Sequence, residues 1–267
     1  MTSKFRTTEI SDPQFESDNL RFITVKTKNL SGRGDICTYI PPNIESLANT
    51  PLLILLHGVY GNSWIWSQKG GAHRTANQLI IDEKIKPMVI AMPSDGLWGD
   101  GSGYLPHQDF NFEKWIVEDV IAAVKENITS VNDNSPIFIA GLSMGGYGAL
   151  RLGAKYPHLF KGISGLSSIT DVPQMKLFVE EDLESYKQAD PNNESVFKLM
   201  QQNKTKLPPF RFDCGINDEL IEHNRKLHKE LNAEGIQHIY EEFEGKHEWI
   251  YWQTHLKDTL LFFDGLI

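Results

Sequence analysis

Three short stretches constrain this chain more than any other feature: LLILLHG, MVIAMPSDG and IFIAGLS. Each is a continuous apolar run that stops in small or polar residues. A half-buried strand alternates apolar and polar side chains. An unbroken run instead implies burial on both faces, as in a parallel sheet covered by helices. GISGLSS and PFRFDCG add further strands. Between them lie segments with helical spacing. In FEKWIVEDVIAAVKENI, residues Ile116, Val117, Val120, Ile121 and Val124 recur along one face and the charges fall on the other. Strand alternating with helix predicts an α/β fold, with a mostly parallel, doubly wound sheet and helices on both of its faces.

The flanks are different in texture. RFITVKT and DICTYIPP read as short strands separated by the turn-rich NLSGRG, and the Arg33-Gly34-Asp35 triplet reads as a tight turn rather than an adhesion motif. Residues 171–208 are mostly polar, with helical fragments such as QMKLFVEEDLESYKQ, which predicts a small insertion over the sheet. After PFRFDCG come a helix (ELIEHNRKLHKELNAEG), a strand (HIYEEFEG) and a last helix from about Trp249 to Phe263. No repeat, low-complexity tract or linker interrupts the chain, so residues 1–267 are expected to form a single domain.

Bulk properties narrow the class. The net charge of −9 argues against nucleic acid or an anionic membrane as the main partner. No apolar run approaches the ~20 residues of a membrane helix. The start, MTSKFRTTEISDPQFESD, lacks the apolar stretch of a secretory signal. Cys37 and Cys214 fit two free thiols in a reducing compartment, and the expected location is cytoplasmic. On that reading the sequons at Asn127, Asn193 and Asn203 carry no weight. Self-association as a homo-oligomer is left open.

The chemistry gathers around IAGLSMGGYGALRLGAKYP. Here Ser143 sits between an apolar strand and a helix closed by Pro157, with Gly141 and Gly145 two residues to either side. A G-x-S-x-G turn in that setting is a nucleophile elbow, whose glycines allow strand and helix to approach closely. The helix starting at Met144 points its amide dipoles at the same spot. A serine also caps helices well. Only a base and an acid elsewhere make it a nucleophile.

In such a fold the chain order is serine, then acid, then histidine. Of nine histidines, His238, His247 and His255 follow the last strands. His247, in EFEGKHEW, lies past a strand end and before a helix, whereas His238 lies at the strand's wrong end and His255 inside the last helix, on its surface. FDCGINDEL offers Asp218 in the loop beyond the strand as the acid, with Asp213 within the strand in reserve. Asp218 could also cap the helix that follows. The oxyanion hole needs two backbone amides. Met144 supplies one, and Val59 in LLHGVYGNSW the other, with Tyr60 second; His57 belongs to the scaffold of that loop. Trp98 and Tyr104, in a glycine-rich loop after another strand, either line a pocket or stabilise the loop, and Tyr60 and Trp249 are further pocket candidates. No metal or organic cofactor is expected, since His223 and His228 do not share a helix face. Cys214 reads as a buried structural thiol.

In order, LLHGVYGNSWIW, GLSMGGYGAL, DCGINDEL and GKHEWIYW resemble the esterase D-like family of α/β hydrolases, over the chain from about residue 20 onward. That family includes tributyrin-type short-chain esterases, S-formylglutathione hydrolases, feruloyl and acetylxylan esterase domains, and mycolyltransferases. The resemblance implies Ser143, Asp218 and His247 as a triad, and a serine carboxylesterase acting on a small-molecule ester through an acyl-enzyme. A feruloyl or acetyl carbohydrate esterase, an S-formylglutathione hydrolase-like thioesterase, acyl transfer and a non-catalytic binding module are the rival readings. S-formylglutathione hydrolases carry a Cys-Thr-rich segment where this chain has Val-Tyr-Gly-Asn, which brings it nearer the tributyrin-type and carbohydrate-esterase branches. Secreted mycolyltransferases do not fit the N-terminus.

Overall fold

The computed structural model describes residues 3–267. Nine strands form one sheet in the order β1-β2-β3-β5-β4-β6-β7-β8-β9. The first three, β1 (Thr8–Ile10), β2 (Leu20–Thr27) and β3 (Gly32–Tyr39), run antiparallel to their neighbours. The other six are mutually parallel: β4 (Leu52–Leu56), β5 (Val89–Pro93), β6 (Ile137–Leu142), β7 (Gly162–Leu166), β8 (Phe210–Gly215) and β9 (Ile239–Phe243). The apolar runs of the sequence are these parallel strands. This is an α/β-hydrolase fold.

The period of two along each strand divides the runs between two cores. Leu52, Ile54 and Leu56 face one side with Ile137 and Ile139, and Leu53 and Leu55 face the other with Phe138 and Ala140. On the first side pack α3 (Phe112–Lys114), α4 (Ile121–Asn127), α5 (Met144–Lys155), α6 (Val196–Gln202) and α7 (Ile221–Ala233). On the second lie α1 (Ile65–Gln68), α2 (Ala72–Ile81) and α8 (Trp249–Asp264). The chain leaves β4 for β5 on one side and returns to β6 on the other, so strand order reverses at β4. The crevice at such a reversal, outside the carboxyl ends of the strands, is where open α/β sheets bind ligands.

Three local expectations are corrected. Arg33, Gly34 and Asp35 are not a turn but lie in β3, opposite Lys26, Val25 and Thr24. The turn comes earlier, at Ser31 with φ 49°. Gly34 is a packing glycine, because a Cβ there would stand 2.5 Å from the Trp115 ring. The helix expected across 112–128 contains a π-helical segment, Trp115–Val120, between α3 and α4. Its wider turn presents more than one stripe inward. Asp119 and Glu113, expected on the solvent face, are in fact buried. Asp119 accepts from Thr27 and Asn29, and Glu113 meets Arg151 at 2.6 Å and Lys155 at 2.8 Å. The 171–208 insertion consists of short helical fragments as expected, the 3-10 turns Val172–Leu177, Leu183–Tyr186 and Pro191–Glu194 before α6. It buries Val172, Met175 and Tyr186 against the first core.

Candidate active site

Ser143 stands where β6 turns into α5, with φ 52° and ψ −117°. For a residue with a side chain this conformation costs of order 1–3 kcal/mol, and such costs concentrate at functional sites. The flanking glycines make the turn possible by removing atoms. A Cβ on Gly141 would stand 2.3 Å from the Gly145 carbonyl oxygen, and one on Gly145 would stand 2.4 Å from that of Leu56. The Ser143 amide donates to the Leu166 carbonyl at 2.9 Å, tying the elbow to the end of β7.

His247 arrives from the loop between β9 and α8. Its Nε2 lies 2.9 Å from Ser143 Oγ, and its Nδ1 lies 2.9 Å from Asp218 Oδ2 and 3.1 Å from Oδ1. A carboxylate at Nδ1 fixes the proton there and leaves Nε2 free to accept from the serine hydroxyl. Asp218 follows β8 and is buried, and its Oδ1 also accepts the Leu220 amide at 2.8 Å. That bond closes a local turn ahead of α7. Carboxylate, imidazole and hydroxyl thus form one continuous chain.

The other acids and histidines are occupied elsewhere. Asp213, inside β8, pairs with Arg211 at 2.8 Å and accepts the Tyr251 hydroxyl at 2.8 Å. Burial pushes its carboxyl up to about 6 against the pull of Arg211 and Tyr251. His238 bonds His228 at 2.8 Å near the start of β9. His255 is half-buried rather than on the surface, stacked on Phe243 with centroids 4.2 Å apart and 3.0 Å from Asp258. His57 accepts the Asp95 amide at Nε2, so its Nδ1 proton goes to the Gly58 carbonyl. Cys37 and Cys214 are buried and form no disulfide, and burial raises both thiols, Cys37 to about 11.

The β4 loop meets the elbow at close range. A Cβ on Gly58 would stand 3.3 Å from that of Ser143. One on Gly101 would stand 2.4 Å from Met144 Sδ and 3.3 Å from Val59 Cγ1, so Gly101 lets those two residues pack side by side. The Tyr60 amide donates to the Asp100 carbonyl at 2.8 Å. The Val59 amide has no acceptor among the described residues. Met144 opens α5, where an amide has no preceding turn to bond.

Of the pocket candidates, Tyr104 is corrected. It is fully buried, donates its hydroxyl to the His57 carbonyl at 2.9 Å and packs on Gly148, so it supports the scaffold and lines no open pocket. Trp98 is half-buried against His107 and Tyr186. Trp249 stands edge-on to Trp66 and Trp252. Tyr60 is 68% exposed. Sequence reasoning missed Phe178, whose ring stacks on the His247 imidazole with centroids 4.9 Å apart at 25°. It also missed Trp252, edge-on to the same imidazole at 5.0 Å. Trp252 stood within a quoted motif, but Phe178 carried no signal in a stretch read as polar. Among the described residues no group of three or more His, Cys, Asp or Glu side chains is placed to hold a metal ion. Likewise, no helix among them is long and apolar enough to cross a membrane.

Fold and site together define an α/β hydrolase with a serine at its nucleophile elbow. The chain belongs to the esterase family described as "Putative esterase", whose sequence profile matches residues 27–263. It is a serine hydrolase acting on carboxylic ester bonds. It is 30% identical to an acetyl esterase of Caldicellulosiruptor saccharolyticus, over 79% of this chain and 82% of that protein. Among solved structures, a ferulic acid esterase aligns with a TM-score of 0.80 at 19% identity, covering 97% of this chain and 99% of the other. The S-formylglutathione hydrolase FrmB of Staphylococcus aureus aligns with a TM-score of 0.73 at 16% identity, covering 95% and 98%. These last two likenesses concern the fold.

Proposed function

We infer that this esterase hydrolyses short-chain acyl esters through a covalent acyl-enzyme on Ser143. The observation that carries the reading is the hydrogen-bonded chain from Asp218 through His247 to Ser143, 2.9 Å at each step. In the first half-reaction His247 Nε2 takes the hydroxyl proton as Ser143 Oγ attacks the ester carbonyl, and Asp218 holds the imidazolium that forms. The Met144 and Val59 amides receive the negative charge on the carbonyl oxygen. The alcohol leaves with the proton from His247, and water repeats the cycle on the acyl-enzyme. No step calls for a metal or organic cofactor. Two buried thiols that form no disulfide favour a reducing, cytoplasmic setting.

The relative at 30% identity is named an acetyl esterase, which supports a small acyl group. The ferulic acid esterase neighbour keeps a carbohydrate ester as the second reading. A panel of kcat/KM values separates them: p-nitrophenyl acetate to laurate, methyl ferulate, acetylated xylo-oligosaccharides and S-formylglutathione. A preference for short aliphatic esters is expected, and dominance of feruloyl or acetylated-sugar substrates would overturn it. Added alcohols competing with water would reveal acyl transfer. Ser143→Ala should lower kcat by roughly 10⁴-fold or more. Near-wild-type turnover by that variant would remove the assignment altogether.

A further inference from the structure

Asp218 at Nδ1 and the Ser143 hydroxyl at Nε2 hold His247 in its plane, but neither in-plane bond stops the ring from tilting out of that plane, above all once the serine hydroxyl has given up its proton. Two aromatic rings limit the motion. Trp252, on α8, stands edge-on at 88°, and Phe178 lies nearly parallel over the imidazole at 25°. Trp252 belongs to the helix that follows His247 directly. Phe178 comes from elsewhere, the strap between the 3-10 turns Val172–Leu177 and Leu183–Tyr186.

That strap is anchored at points that all lead to the β4 loop. The Tyr60 hydroxyl donates to the Phe178 carbonyl. The Glu180 amide donates to Asp100 Oδ2 at 2.8 Å, and the Asp100 amide donates to Glu181 Oε1 at 2.8 Å. Asp100 in turn accepts the Tyr60 amide through its carbonyl. Gly99 leaves room for this closure, since a Cβ there would stand 2.1 Å from Glu181 Oε1. Removal of its hydroxyl from water and the carboxylates of Asp100, Glu180 and Glu181 raise the Tyr60 phenol, which keeps it a donor. Tyr60 follows Val59 directly, so one set of bonds ties the ring above the base to the loop beside the nucleophile.

We propose that Phe178 is a positioning residue for His247, holding the imidazole in line with Ser143, and that the Tyr60 hydroxyl fixes the Phe178 strap to the loop carrying the Val59 amide. The proposal rests on the serine-esterase reading above. Phe178 exchanges no proton and acts only through the orientation of the base. Its loss therefore slows acylation and deacylation alike without weakening ground-state binding, because misplacing a reacting group by about 1 Å can cost on the order of 10²-fold in rate.

The test is a set of variants assayed with p-nitrophenyl acetate, together with the rate of covalent inactivation by a small fluorophosphonate. The fluorophosphonate reports nucleophile–base alignment independently of acyl preference. Phe178→Leu should lower kcat by about 10- to 100-fold with KM within about twofold, and should slow inactivation by a matching factor. Phe178→Tyr, which restores an aromatic face, should recover most of that loss. Tyr60→Phe, which removes one oxygen and preserves the ring, should lower kcat several-fold at unchanged KM, and it serves equally if Phe178→Leu does not fold. A rise in KM at constant kcat would make Phe178 a substrate contact and overturn the proposal. So would a Leu variant as active as wild type, or a Tyr variant as impaired as Leu. Failure of the underlying reading looks different: wild type itself would resist the fluorophosphonate.

Discussion

Ser143 could not hold its backbone angles if either neighbouring glycine gained a methyl group. Both glycines face backbone rather than side chains, and backbone cannot step aside as a rotamer can. Gly145 lies within α5, where alanine would ordinarily be the better helix former. Here its Cβ would press on the carbonyl oxygens of Leu56 at 2.4 Å and His57 at 2.5 Å. Gly145→Ala should therefore destabilise the protein by about 1–3 kcal/mol, the usual range for overpacking, instead of stabilising it. Because the displaced carbonyls belong to the end of β4 and its loop, kcat should fall more than tenfold as well. Urea denaturation and a steady-state assay on one preparation check both, and a variant more stable than wild type would contradict the geometry.

At the scale of elements, the segment from α3 to α4 carries the largest difference between sequence and structure. Its apolar spacing suits an α-helix and a π turn almost equally, since both bring Ile116, Val117 and Val120 to the core. The partners that draw Glu113 and Asp119 inward, Arg151 and Thr27, lie far off in sequence. Periodicity alone could not reveal those pairings. Glu113 shows what they do. Burial pushes its carboxyl up, but Arg151, Lys155 and Tyr156 outweigh burial and hold it below its ordinary value. Arg151 is fully buried, so Glu113→Gln leaves a guanidinium with a weaker partner in the core. The expected loss is about 3–5 kcal/mol in chemical denaturation, the range for breaking a buried pair. The parallel strands, by contrast, were legible because burial on both faces requires unbroken apolar runs. Ser143, Asp218 and His247 were legible because each lies just past a strand end in a loop of recognisable composition. Phe178 was not, because its partner is distant and the composition around it is that of any surface strap.

At the scale of the whole molecule, the two buried carboxyls pull stability in opposite directions as pH changes. Asp213 titrates near 6 when folded, above its ordinary value near 3.8. Between those values the folded state holds a proton that the unfolded state has released. Its contribution is therefore full below about pH 3.8 and is lost as pH rises through about 6. Asp213→Asn removes this dependence. The stability of wild type relative to the variant should fall as pH rises from about 4 to about 6 and then level off. Denaturation curves across that range check it, and a difference that grows in wild type's favour would reverse the sign.

The sheet order has one further consequence. Ser143 and the Val59 loop grow from β6 and β4, two adjacent central strands whose residues are wholly buried. His247 hangs from β9, the last strand of the sheet, whose residues are all partly exposed. Opening near an edge needs far less free energy than opening a core ladder. On the proposed mechanism the nucleophile thus rests on fully buried central strands, and its base on a border strand that opens more readily. On that mechanism, mild stress would silence the enzyme while it is still folded around an intact serine, and re-pairing one border strand would be enough to wake it.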